Sequence, residues 1–375
     1  MNIKAIQEIT AYSRGRINII GEHTDYNDGF VLPAAIDKKT VVTIRRNGDD
    51  SICNITAENK SESHQFDLKN YSRIKSGWQN YVMGVVHELE KIGGKLKGFD
   101  ASFSGDVPIG SGMSSSAALE CSFAYALNEL FELGFDKMQM IKASQMAEHN
   151  FVGIKCGIMD QFASMMGRKD KVMLLDCRSL EYQYFPLELG EHQLLLLNTN
   201  VSHSLADSAY NERRAQCQEG LQILKKQSSD VKSLRDVTKE MLEEVKSSMN
   251  PIVYNRCKHV VGENQRVLAA TAAMRYGQLE ELGKLIYASH HSLQHDYEVS
   301  CKELDFLVEE TKDKAFILGS RMMGAGFGGC TINLIDKQFV SGFIAEITEK
   351  YFEKYKIELT PFEVSIEDGA GFLSV

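Results

Sequence analysis

The chain has 375 residues, 43% of them hydrophobic and 25% charged, with only 5 prolines, the composition of an ordinary soluble protein long enough for two domains and a large core. A formal net charge of −9 argues against nucleic acid or an anionic membrane as the main partner, though not against a nucleotide, whose local site can be positive on an acidic protein. The 8 cysteines stand singly without a Cys-x-x-Cys pair, no apolar run reaches membrane-spanning length and the first ten residues lack a signal-type apolar core, so neither zinc nor a redox pair is suggested and the expectation is a cytoplasmic protein.

In chain order, Ile17-Asn18-Ile19-Ile20 is a β-branched run ending at Gly21, and residues 30–36 and 40–44 are further strand candidates after an Asn27-Asp28-Gly29 turn. The loop after the first run holds Glu22, His23 and Asp25 within four residues. It can serve as a metal site, as a solvated turn, or as a site for a polyhydroxylated ligand, because carboxylates accept from adjacent hydroxyls and an imidazole donates or accepts. The metal reading lacks the His-x-x-x-His spacing of a helical zinc site. Residues 47–69 alternate weakly and read as strand and loop at a sheet edge. Residues 78–89 carry apolar positions at helical spacing, and residues 99–103 form a strand that leads into the most informative stretch.

That stretch is Val107-Pro108-Ile109-Gly110-Ser111-Gly112-Met113-Ser114-Ser115-Ser116-Ala117-Ala118-Leu119. Proline and glycines oppose regular structure, whereas the residues from Ala117 onward favour helix, so a tight loop feeds a helix N-terminus. Unpartnered N–H groups and the positive end of the helix dipole favour a bound anion there. Gly110 and Gly112 permit close backbone approach, and the serines add donors or a metal ligand. No Gly-Lys-Ser/Thr closes the loop, and its glycine spacing is not that of a dinucleotide-binding turn. A phosphate bound here would be balanced by neutral donors and a cation.

Helices are expected at 116–131, 137–151 and about 158–166. The last contains Cys156-Gly157-Ile158-Met159-Asp160-Gln161-Phe162 at its start, with Asp160 in or near the first turn, a position that also suits a carboxylate merely complementing the dipole. Residues 172–175 and 182–185 read as strands. Near Gly190 the chain changes character: an apolar strand at 194–197 precedes a charged helical stretch from 208 to 310, with Pro251 as a helix start or kink. Strands at 316–317, 330–335 and 362–366 surround one helix at 338–352. The loop Gly319-Ser320-Arg321-Met322-Met323-Gly324-Ala325-Gly326-Phe327-Gly328-Gly329-Cys330 suggests a tight turn or close approach to a ligand. The pattern is α+β in two lobes, with the seam near residue 190.

Taken together, three motifs carry a family resemblance: Gly15-Arg16-x-Asn18-x-Ile20-Gly21-Glu22-His23-Thr24-Asp25-Tyr26-Asn27, then Pro108-x-Gly110-x-Gly112-x-Ser114-Ser115-Ser116-Ala117, then Gly324-x-Gly326-Phe327-Gly328-Gly329-Cys330. In this order and spacing they resemble the galactokinase family of the galactose, homoserine, mevalonate and phosphomevalonate (GHMP) kinase superfamily. The first motif separates galactokinases from the mevalonate and homoserine members. Residues 156–161, 176–181, 203–206 and 296–301 match as well, so the resemblance spans Gly15 to Cys330.

The resemblance implies a two-lobe fold with the active site in the inter-lobe cleft. The lobes would be 1–190 and 191–359, with a final strand at about 360–375 returning to the first. It implies transfer of the ATP γ-phosphoryl group to the anomeric hydroxyl of α-D-galactose with Mg2+. Galactose and ATP are the expected partners, with no nucleic acid and no membrane, and a monomer is the favoured state. Asp160 matches the catalytic base and Arg16 the arginine beside it. Glu22, His23, Asp25, Gly157 and Tyr210 match sugar-binding positions. Gly110, Ser111, Gly112, Met113, Ser114, Ser115, Ser116 and Ala117 match the phosphate loop, with Trp78 near the adenine and Ser116 and Glu148 at magnesium positions. Two departures stand out: Ser13-Arg14 where the family has Ala-Pro, adding a charge near the site, and Met323 and Ala325 within the glycine loop. Two related readings share the resemblance, a kinase for a sugar such as N-acetylgalactosamine and a sugar-and-ATP sensor without catalysis. The intact serine loop with Asp160 and Arg16 speaks against the sensor.

Overall fold

The computed structural model describes residues 8–202 and 206–373. The matching stretch at 203–206 therefore lies mostly outside the described residues. The first strand, β1 (Glu8–Asn18), begins well before the β-branched run that signals it, and residues 19–29 form a loop. β2 (Phe30–Val31) and β3 (Pro33–Arg46) follow, β3 continuing unbroken through Asp37-Lys38-Lys39, where the pattern suggests two strands. Those charged residues are tolerated in mid-strand because pairing with β1 breaks register between Arg14 and Arg16, opposite them. Next come the edge hairpin β4 (Ile52–Ala57) and β5 (Glu62–Asp67), then α1 (Gln79–Lys91), β6 (Phe99–Gly105), α2 (Ser115–Leu130) and α3 (Lys137–Ala147). The end of α3 widens into a π turn over Glu148–Val152, and α4 (Met159–Met166) follows.

The strands β7 (Lys171–Asp176), β8 (Tyr182–Pro186) and β9 (His192–Ser202) lead to the helical stretch. It divides into α5 (Ala206–Gln227), α6 (Lys239–Glu244), α7 (Pro251–Arg275), α8 (Leu279–Ser292) and α9 (Lys302–Glu309). Pro251 starts α7 rather than kinking it, in the first turn, where a missing N–H costs nothing, behind an Asn250 cap. β10 (Ile317–Met322), β11 (Gly328–Asp336), α10 (Val340–Tyr355), β12 (Thr360–Glu363) and β13 (Gly371–Phe372) complete the chain. No helix among the described residues is long and apolar enough to cross a membrane.

The strands form a six-stranded sheet in the order β13-β1-β3-β6-β4-β5, a four-stranded sheet β10-β11-β9-β12 and a three-stranded sheet β2-β7-β8. All pairs are antiparallel except β4 with β6. The chain end returns in steps: β12 pairs with β9, Ile366 bridges to Ile36, and β13 pairs with β1. One core, including Val42, Phe99, Phe123, Leu127 and Phe162, lies between the six-stranded sheet and α1–α4. A second core draws on Ile17, Ile20 and Leu32 from the start of the chain and on Leu196, Val267, Met323 and Ile332 from its second half. The two lobes thus share apolar packing, which fixes the walls of the cleft between them.

One buried cation crosses that junction. Arg321, fully buried on β10, donates Nε to the Ile19 carbonyl at 2.9 Å, Nη1 to the Met322 carbonyl at 2.6 Å and Nη2 to the Asn18 carbonyl, and pairs with Glu22 Oε1 at 3.0 Å. Removing one member of a buried ion pair strands the other without solvent. Arg321→Met is therefore expected to lower stability by about 3–5 kcal/mol in chemical denaturation. Arg321→Lys should recover only part of this, because a lysine cannot reproduce the planar fork.

Candidate active site

A cleft of about 410 Å3 opens where β1, α2, α4, the 21–29 loop and the glycine loop 323–328 meet. Its centre is Asp160, in the first turn of α4. Arg16 grips this carboxylate with both arms of its guanidinium, Nε to Oδ1 at 2.7 Å and Nη2 to Oδ2 at 2.8 Å, while its third nitrogen donates to the Gly112 carbonyl. The fork is preorganised for this planar match. Ser13 and Arg16 both reach α4, although strict strand alternation would send positions three apart to opposite faces; the register break between Arg14 and Arg16 lies between them. Burial works against the Arg16 charge, but Asp160, Glu22 and Asp25 carry its pKa above the ordinary value.

Ser114 adds the third bond, Oγ to Asp160 Oδ2 at 2.5 Å. It is the N-cap of α2, in a left-handed conformation (φ 60°, ψ 54°), and its hydroxyl makes no capping bond. A capping serine ordinarily accepts from the N–H of the second or third helical residue. With its side chain committed to Asp160, Ser114 leaves the N–H groups of Ser115, Ser116 and Ala117 pointing out of the helix end, and Ser115 and Ser116 line the cleft. The serine loop therefore presents an uncapped helix N-terminus to the cleft, an arrangement that favours anions.

The 21–29 loop is held from the opposite lobe by one face of α7. Gly21 N donates to Glu263 Oε1 at 3.0 Å, Phe30 N to Asn264 Oδ1 at 2.9 Å, and His259 Nε2 to the Glu22 carbonyl at 3.1 Å. Within the loop, Glu22 Oε1 accepts from Arg321 and from Gly324 N at 2.9 Å, tying it to the glycine loop. Asp25 faces the cleft over Gly157, where a Cβ would fall 1.9 Å from Asp25 Oδ2; only glycine fits. Loss of solvation, with Asp160 and Glu22 as like-charged neighbours, pushes the Asp25 carboxyl up to about 7. Tyr210 packs 5.5 Å from the His23 ring and 5.3 Å from the Tyr26 ring.

Both His23 ring nitrogens hold protein partners. Nε2 lies 3.2 Å from the Ala325 carbonyl, which only accepts, so it carries the proton. Nδ1 then accepts from Tyr26 OH at 2.7 Å, Tyr26 accepts from Tyr297 at 2.8 Å, and Tyr297 accepts from the Cys217 thiol at 3.2 Å. The direction of every bond in this chain follows from one carbonyl.

The expected site residues thus divide. Arg16, Glu22, His23, Asp25, Gly110, Gly112, Ser114, Ser115, Ser116, Glu148, Gly157, Asp160 and Tyr210 all line the cleft. Ser111, Met113 and Ala117 are buried behind it, Ser111 bonding the Pro108 carbonyl at 2.7 Å to shape the loop and Met113 filling the shared core. Trp78 also lies outside it: its indole sits in the first core and donates to Glu62 at 2.7 Å, whereas Tyr81, one turn on, lines the cleft. Arg14 turns away to the Asp37 carbonyl (3.0 Å) and Glu367 (4.0 Å), so it adds no charge to the site. Met323 is buried in the shared core, and Ala325 contributes its carbonyl to His23. Glu263, His259 and Asn264, which hold the site, carry no local motif, their one signal being polar residues inside an apolar helical pattern; Arg321 lies within the glycine-dense stretch 319–330, which points to a turn rather than to its buried charge.

Burial with its neighbour His259 pushes His23 down to about 3, and burial pushes His259 down to about 4. The unfolded chain takes up these protons near pH 6.5 while the folded one does not, so their contribution is complete above 6.5 and declines as pH falls toward 4. A loss on the order of 3 kcal/mol per imidazole is expected between pH 7 and 4 in denaturant titrations, and His259→Gln should flatten the decline by its share.

Residues 4–46 match the galactokinase galactose-binding signature, residues 80–168 the GHMP kinases N terminal domain and residues 268–353 the GHMP kinases C terminal model. The galactokinase of Thermotoga petrophila is 42% identical over 355 residues, covering 95% of this chain and 97% of that one. The galactokinase of Clostridium acetobutylicum is 41% identical over 96% of this chain and 93% of its own. The crystal structure of Lactococcus lactis galactokinase complexed with galactose superposes with a TM-score of 0.94 at 36% identity, covering 99% of this chain and 96% of that one. The mevalonate kinase of Methanococcus jannaschii, at 17% identity and a TM-score of 0.65, shares the fold alone. With the signature loop, the phosphate loop and the glycine loop meeting at one cleft, and relatives of this identity over nearly its whole length, the chain belongs to the galactokinase family of GHMP kinases, phosphotransferases that act on sugars.

Proposed function

We propose that this protein transfers the γ-phosphoryl group of ATP to the anomeric hydroxyl of α-D-galactose, giving galactose 1-phosphate and ADP. The observation that carries this reading is the Asp160 carboxylate, held by Arg16 and Ser114 where the first turns of α2 and α4 meet, beside the loop of the galactose-binding signature. Phosphoryl transfer asks for in-line positioning, stabilisation of charge on the transferring group, and an acceptor for the sugar proton. Asp160 accepts that proton. A sugar hydroxyl arriving at Oδ2 takes the place of the Ser114 hydroxyl, which frees Ser114 to turn toward phosphate. Arg16 stays on Asp160 and faces the transferred oxygens with its remaining charge, while the α2 N–H groups hold the phosphates.

The sugar rests on Gly157 and against Tyr210, with Glu22 and Asp25 as hydroxyl acceptors. His23 contributes its ring surface, since its nitrogens are engaged. The Ser116 hydroxyl and the Glu148 carboxylate, both on the cleft, are hard oxygen donors of the kind magnesium takes beside phosphate oxygens and water. Among the described residues no group of three His, Cys, Asp or Glu side chains gathers to hold a metal alone, which suits an ion shared with a nucleotide. Bound there, magnesium would neutralise charge on the transferring phosphates.

Incubation with Mg-ATP and a panel of sugars, read by phosphorus NMR, should give galactose 1-phosphate. A C6 phosphate, turnover of N-acetylgalactosamine in its place, or no turnover would each overturn the reading. Asp160→Asn should still bind galactose while kcat falls by about 10²–10⁴-fold. Galactose binding should also depend on pH through Asp25. Its ionised form is the hydroxyl acceptor, so affinity measured by calorimetry should weaken as pH drops below about 7, by up to about tenfold per unit. Asp25→Asn should bind weakly and without this slope.

A further inference from the structure

We infer that Glu120 and Gln161 form an uncharged, hydrogen-bonded pair that locks the phosphate-loop helix α2 to the base-carrying helix α4 and so positions Asp160 for transfer. This role rests on the activity proposed above, and neither residue lines the cleft. Glu120 lies one turn into α2 beyond Ser116, and Gln161 directly follows Asp160 on α4; both are fully buried. Successive helical residues point about 100° apart, so Asp160 faces the cleft while Gln161 faces the interior toward α2. The Gln161 amide donates Nε2 to Glu120 Oε2 at 3.0 Å.

Each group has one atom left over. Glu120 Oε1 and Gln161 Oε1 are buried without a hydrogen-bond partner, and both are acceptors if the acid is ionised. An unpartnered buried acceptor costs about 1–3 kcal/mol, and a buried carboxylate with a single amide bond costs more. The protonated acid removes both defects at once: its O–H donates to the Gln161 oxygen and closes a cyclic acid–amide pair. The surroundings favour that form, since burial pushes the Glu120 carboxyl well above its ordinary value. Other ties fix α4 at different points: Arg16 grips Asp160, Ser13 Oγ donates to the Ser164 carbonyl at 3.1 Å, and Lys137 donates to the Met165 carbonyl at 3.0 Å. Between α2 and α4, Ser114 bonds Asp160 at the cleft end and the Cys121 thiol donates to the Gln161 carbonyl at 3.6 Å; the Glu120–Gln161 pair is the polar side-chain tie set back in the interior, where it helps to hold the spacing between the proton acceptor and the α2 N-terminus. A shift of about 1 Å in such a spacing can cost about 10²-fold in rate.

The test compares steady-state galactose phosphorylation and thermal melting across variants. Glu120→Gln keeps a cyclic amide–amide pair and should stay within about threefold of wild-type kcat. Glu120→Ala should lose about 10–100-fold in kcat with the galactose KM changed by less than about threefold. Should the alanine variant not fold, the exchange decides: Gln161→Leu leaves the acid without its partner and should lose activity, whereas the double variant Glu120→Gln/Gln161→Glu rebuilds an acid–amide pair with its ends reversed and should keep kcat. A Glu120→Gln protein as impaired as Glu120→Ala would mean that the charge matters, and wild-type kcat in Glu120→Ala would mean that the pair positions nothing. Either result overturns the inference. Absence of turnover in the unaltered protein would instead count against the proposed activity.

Discussion

The cleft depends first on the guanidinium of Arg321. Its donors close off the carbonyls of Asn18, the last residue of β1, and of Ile19 just beyond it, and its charge fixes Glu22, which also receives the Gly324 amide. A single side chain from the second lobe thus sets the start of the 21–29 loop and the height of the glycine loop above it. It does so without solvent, where an ion pair is worth keeping only if every lone pair and proton is used. The α7 contacts extend this logic along the loop: Glu263 at Gly21, His259 at Glu22 and Asn264 at Phe30. Glu263 is itself secured by Ser289 at 2.6 Å and Arg266 at 2.6 Å, and burial notwithstanding, Arg266 and His259 hold its carboxyl down to about 2.

On that frame the two sides of the cleft approach at backbone distance. A Cβ on Gly112 would sit 2.8 Å from the Met323 carbonyl, and one on Gly324 would sit 3.1 Å from the Gly112 Cα. Both glycines have positive φ, 79° and 86°, so both conformation and space exclude a side chain. This contact brings the α2 N-terminus and the glycine loop against one ligand volume. The electrostatics there are balanced rather than simply positive. Arg16 and two helix N-termini stand against Asp160, Asp25 and Glu22, which is how a site on an acidic protein can take both a nucleotide and a polyhydroxylated sugar.

Several matched motifs turn out to be architecture rather than chemistry. In residues 176–181, Arg178 donates to Asp236 at 2.8 Å and to Ser233 at 2.6 Å, and Asp176 receives Arg235 at 3.2 Å. Arg235 in turn lies 3.3 Å over the Phe30 ring and bonds the Asp28 carbonyl, bracing the far side of the signature loop. In residues 296–301, Tyr297 continues the hydrogen-bond chain behind His23, and the Val299 carbonyl accepts Phe327 N at 2.7 Å to shape the glycine loop. The chemistry resides in far fewer side chains than the matched residues suggest.

The sequence by itself determined the helix that follows the serine loop, Pro251 as a helix start or kink, and strand and loop at a sheet edge over 47–69; the family resemblance, not a local pattern, named the residues from Arg16 to Tyr210, most of which line the cleft. The first three were legible because turn chemistry, helix capping and periodicity are local properties, and because glycines at close approaches leave a mark in the chain. Tertiary structure alone decided which loop residues face the ligand and which form its backing. Ser111, Met113 and Ala117 share a motif with Ser114 and Ser116 but turn into the protein, and Trp78 spends its indole on Glu62. It likewise decided that Arg14 and Arg16, two positions apart, part company at a register break, and that Glu120 and Gln161 meet. Such outcomes follow from contacts between residues tens to hundreds of positions apart, where burial removes water and makes each polar group answerable to a partner the local sequence does not contain.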